Sequence, residues 1–161
     1  MLYKLAIPYV WEEVDNARQL LLLLDAAFEN PIDDPEPREV SLLDTVRSSN
    51  AFARFDVYAP YVKSLDVYGN KRKRFKITGW KVLIARSRNH VLLPNLHTLV
   101  TQTSCDSHGP DQIMWVAAFN SPSLVNLLIA PSELGGGPAI SYEAASVVMR
   151  TISPQISKLR K

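Results

Sequence analysis

One short phrase recurs along this chain and limits what it can become. It is a proline, one residue, an aliphatic residue, two residues, a leucine, one residue, then a third short or apolar side chain. Pro60 leads Val62, Leu65 and Val67, Pro94 leads Leu96, Leu99 and Thr101, and Pro122 leads Leu124, Leu127 and Ile129. An incomplete copy, Pro154 before Ile156 and Leu159, closes the sequence. The aliphatic residues that open the copies stand at 62, 96, 124 and 156, so they are 34, 28 and 32 residues apart. Alternate residues of a strand share a face, so each copy predicts a short strand with one buried side. A lone strand of this kind cannot stand, whereas stacked units bury one continuous core.

The segments between the copies carry helical spacing, which makes helix followed by strand the repeating unit. Asp15 or Asn16 is placed to cap a helix over residues 16–28, with Ala17, Leu20, Leu21, Leu24 and Phe28 on one side. Residues 31–39 form an acidic, proline-rich connector, and residues 40–43 suit a first strand. A short helix follows over 51–58, and another opens at Thr78 with Trp80, Leu83, Ile84 and Ser87 aligned. Gly109, Pro110 and Asp111 make a helix entry, with Ile113, Val116 and Ala117 facing the sheet and Trp115 and Phe119 on the flank. A last helix starts at Ser141 and aligns Ala145, Val148, Met149 and Ile152. The expected fold class is α/β, an irregular leucine-rich-repeat-like solenoid with a parallel sheet on one side and helices on the other. Its spacings exceed or sit at the top of the usual leucine-rich range of about 20 to 29 residues.

The chain of 161 residues suits one domain, and its 47% apolar content excludes wholesale disorder. No uninterrupted apolar run, that of residues 20–24 included, approaches the roughly 20 residues of a membrane span. No secretory leader is recognisable at the start, and the single cysteine, Cys105, cannot form an internal disulfide. The expected location is therefore cytoplasmic or nuclear, without membrane partners. Charge is segregated: residues 1–50 hold 4 basic and 10 acidic side chains, residues 51–100 hold 10 and 2, and the remainder 4 and 4.

Four stretches, IPYVWEEVDNARQLLLLL, RFDVYAPYVKSLDVYGN, LLPNLHTLVTQ and WVAAFNSPSLVNLLIAP, resemble fungal F-box proteins with irregular leucine-rich repeats, especially the large basidiomycete groups. The resemblance implies that residues 1–14 are a remnant of the F-box tail and residues 15–161 an irregular repeat domain, truncated at its C-terminus. It also implies the substrate-recognition part of a ubiquitin-ligase receptor. A protein substrate would sit on the strand face, and a Skp1-type adaptor would bind only where an F-box lies upstream. A nonfunctional fragment is the expectation should the truncation at both ends leave no working unit.

On that face the side chains between the buried leucines are the candidate partner-binding residues: Ser64, Asp66, Tyr68, Thr98, Val100, Asn126 and Leu128. The basic run of Lys71, Arg72, Lys73, Arg74 and Lys76 supports the alternative, a nucleic-acid contact or nuclear import signal. One cluster makes nucleic acid the weaker alternative, with a charged loop at a repeat edge as the plain explanation. Cys105 and His108 fall short of the about four ligands of a structural zinc site, and Gly135 to Gly137 lack the lysine of a phosphate loop. Neither a metal, a cofactor nor enzyme activity is expected.

Overall fold

The computed structural model describes residues 2–25, 27–30, 38–43, 50–69, 75–102, 110–130, 146, 147 and 150. Helix α1 (Leu2–Glu12) runs straight into strand β1 (Glu13–Val14), and α2 (Ala17–Leu21) follows after two residues. Strands β2 (Ala27–Asn30) and β3 (Arg38–Leu42) come next, then α3 (Ala53–Tyr58), a single 3-10 turn (Ala59–Tyr61) and β4 (Ser64–Asp66). The chain continues through β5 (Phe75–Thr78), α4 (Lys81–Ser87), β6 (Thr98–Gln102), α5 (Pro110–Phe119) and β7 (Asn126–Ala130).

Strands β1, β4, β6 and β7 form one sheet in that order, and every pairing is parallel. The chain is therefore α/β, with a helix ahead of each strand of this sheet. Register aligns Val14 with Leu65, Leu65 with Leu99 and Leu99 with Leu127, so the expected leucine row exists and gains a member at its N-terminal end. Leu65 and Leu99 are fully buried. The incomplete copy at Ile156 lies outside the described residues.

Proline explains the phrase. In each copy the amide of the first aliphatic residue donates back three residues: Val62 to the Ala59 carbonyl at 3.3 Å, Leu96 to Leu93 at 3.2 Å, Leu124 to Ser121 at 3.1 Å. The proline stands second in each turn, where its fixed φ is already the one required. Successive turns are also fastened together. Asn95 Nδ2 donates to the Pro60 carbonyl at 2.8 Å, and Ser121 Oγ and Ser123 Oγ donate to the Pro94 carbonyl at 3.1 and 2.9 Å.

Behind the sheet lies one core that joins Leu65, Leu96 and Leu99 to Phe55 of α3, Leu83 of α4, and Trp115, Val116 and Phe119 of α5. Trp115 occupies its middle rather than the flank: it is 1% exposed and stacks on Phe119 at 5.6 Å. Trp80 meets its edge at 4.9 Å. The backing layer is not helical throughout, because β2, β3 and β5 form a second sheet, antiparallel then parallel, whose Val40, Leu42 and Ile77 enter the same core. The helix expected over 16–28 correspondingly ends at Leu21. Asn16 caps it through Oδ1, 2.9 Å from the Arg18 amide, but Ala27–Asn30 leaves in β2. In a run of consecutive leucines both periodicities bury well, so spacing does not choose between them.

Thr101 is fully buried in the third inward row, and its hydroxyl has no hydrogen-bond partner among the described residues. An unpaired buried hydroxyl carries a desolvation penalty without return. Thr101→Val should raise the unfolding free energy by about 1 kcal/mol, read as a higher urea midpoint at unchanged slope.

Candidate functional site

Burying one set of alternating side chains dictates where the other set goes. With Leu65, Leu99 and Leu127 turned to the core, the residues between them lie on the opposite face, and register gathers them into two rows across the strands. Ser64 aligns with Thr98 and Thr98 with Asn126, while Asp66 aligns with Val100 and Val100 with Leu128. Six of the seven candidate partner-binding residues are thus brought together.

The seventh is placed elsewhere. Tyr68 lies beyond the end of β4, packs edge-on against Trp115 at 6.3 Å, and its hydroxyl accepts from Trp115 Nε1 at 3.2 Å. Its position is corrected from the strip to the core boundary. The turn after β4 sends it there: Asp66 Oδ1 accepts from the amides of Tyr68 (3.2 Å) and Gly69 (2.9 Å), which breaks the alternation that would have kept Tyr68 in line.

The strip also gains a member at its N-terminal end. Glu13 pairs with Ser64 in the first row. The signal was present in the sequence, since Trp11 precedes Val14 by the same three positions as Leu96 precedes Leu99. Its proline, Pro8, stands one residue further upstream than in the other copies, and no leucine occupies the key position.

Exposure and charge both vary along the strip. Glu13 and Asn126 are exposed, Leu128 is 55% exposed, and Ser64, Asp66, Thr98 and Val100 are half-buried. Asn126 Nδ2 donates to Thr98 Oγ1 at 3.3 Å, so the first row is linked by side chains as well as by backbone. No basic residue stands in either row. Just ahead of the strands, Lys63 Nζ pairs with Glu12 Oε1 at 2.8 Å, an exposed bridge of small energetic weight.

The remaining candidates divide by location. Lys71, Arg72, Lys73 and Arg74 lie outside the described residues, as do Cys105, His108 and the glycines at 135–137, while Lys76 lies in β5 of the second sheet. Among the described residues no group of three or more His, Cys, Asp or Glu side chains could hold a metal ion, and no helix is long and apolar enough to cross a membrane. No protein-family model, no curated protein and no solved structure matches the chain.

Proposed function

We propose that the chain is a noncatalytic protein-binding module, an irregular leucine-rich-repeat-like solenoid resembling the substrate-recognition part of an F-box ubiquitin-ligase receptor. Its partner is a protein held on the outer strand face. The observation that carries this is the pair of rows, Glu13–Ser64–Thr98–Asn126 and Asp66–Val100–Leu128, laid in register across parallel strands whose stability is supplied by the opposite face. Residues that the core does not need are free to be chosen for contact, and a flat row of short side chains admits another backbone closely.

A photoreactive residue at position 98 or 128 should crosslink one and the same protein in cells, while the same probe at the exposed Tyr9 on α1 should not. Thr98→Arg should then abolish the crosslink from position 128 without lowering the melting temperature. Equal crosslinking from Tyr9 would sink the assignment. Adaptor binding is tested separately, by pull-down with a Skp1-type protein using this chain and a version extended upstream, where only the longer form should be retained.

A further inference from the structure

We infer that the strand face takes an extended peptide segment lying across the strands, with a Lys or Arg over Glu13 and Asp66 and an aliphatic or aromatic side chain over Val100 and Leu128. This rests on the strand-face assignment and names the chemistry of its partner. The face is graded: a carboxylate on each of the two N-terminal strands, Glu13 and Asp66, then two aliphatic residues, Val100 and Leu128, on the C-terminal ones. Glu13 stands beside Ser64, and the two backbone bonds accepted by Asp66 both fall on Oδ1. With no cation in either row, the acidic end favours a basic side chain by simple complementarity. Leu128, 55% exposed, supplies apolar surface at the other end.

Dimensions set the motif. Neighbouring strands lie about 4.8 Å apart, so the four-strand row spans about 14 Å, which an extended chain crosses in roughly four to five residues. The acidic and aliphatic halves are centred about 10 Å apart, between the about 7 Å that separates like-facing side chains two residues apart and the about 14 Å for four. The basic residue and the apolar one should therefore be two or four positions apart in the ligand. Between them the hydroxyls of Ser64 and Thr98 and the Asn126 amide offer hydrogen bonds to the peptide backbone.

The test is selection of a random peptide-display library on the full chain, followed by titration of one selected peptide. Selected sequences should share a Lys or Arg two or four residues from a Leu, Ile, Phe or Trp. The double variant E13Q/D66N should weaken that peptide at least tenfold and flatten its salt dependence, and Leu128→Ser should weaken it severalfold. Asp66→Asn keeps the oxygen that both amides bond, so the turn is preserved while its charge is removed. Selected peptides that lack a basic residue, or that bind the double variant undiminished yet are lost with Thr98→Arg, overturn this inference and leave the strand face standing. Peptides unaffected by Thr98→Arg, or no selection at all, overturn both. A dimer in sedimentation that Leu128→Ser dissolves overturns the inference in favour of a second copy of the chain.

Discussion

Trp115→Ala lowers the unfolding free energy by about 3 to 5 kcal/mol, enough to leave a domain of ordinary stability only partly folded at 37 °C. The side chain is 1% exposed and sits where three others converge: it stacks on Phe119, and Trp80 and Tyr68 meet it edge-on at 4.9 and 6.3 Å. Removing it leaves a cavity between α5 and its neighbours that rigid aromatic partners cannot close, and it strips Tyr68 of a hydrogen bond donated at 3.2 Å. Trp115→Phe separates these contributions, because it retains a ring against Phe119 and loses the indole donor. Its cost should be about half as large, read by urea unfolding of both variants. Equal costs would show that the hydrogen bond, not the volume, is what matters there.

Gly69→Ala carries the second large effect, about 2 to 4 kcal/mol, and acts through the backbone. Gly69 has φ of +61°, and a Cβ built on it would stand 1.9 Å from the Asp15 carbonyl oxygen. Conformational strain and the clash add, since the obstructing atom is main chain and cannot swing aside. The damage should appear first in β1, because Asp15 directly follows Val14 and the next link, the Ala17 amide to the Val67 carbonyl at 3.0 Å, lies beside it. Hydrogen exchange would detect this as faster exchange at residues 14–17 than at β6. Uniform acceleration across the sheet would contradict that localisation.

The main sheet was legible where the turn chemistry and the alternation agreed. Pro60, Pro94 and Pro122 each announce a turn, and each is followed by an inward pair two residues apart, so three strands could be placed to within a residue or two. The first strand was illegible because Val14 is short, its proline is displaced, and the segment around it reads equally well as helix, which α1 indeed is up to Glu12. The second sheet was half visible: Arg38–Leu42 matches the expected strand near 40–43, but β2 hid inside an apparent helical repeat and β5 inside a basic run. Trp115 reads from its spacing as a flank residue because a helix buried on most of its circumference, with Trp115, Val116, Ala118 and Phe119 all covered, offers no polar side to orient it. The strip on the outer face followed from alternation alone, and it was incomplete for the same reason that β1 was missed.

Strand order in the main sheet is the order of the chain, β1, β4, β6, β7. Every strand after β1 finds a hydrogen-bonding partner among residues already synthesised, and the bonds from Asn95 to Pro60 and from Ser123 to Pro94 likewise reach backward. Once β4 has joined β1, a nascent chain emerging from the ribosome can thus lay down its sheet one course at a time, each new strand meeting an edge that is already made.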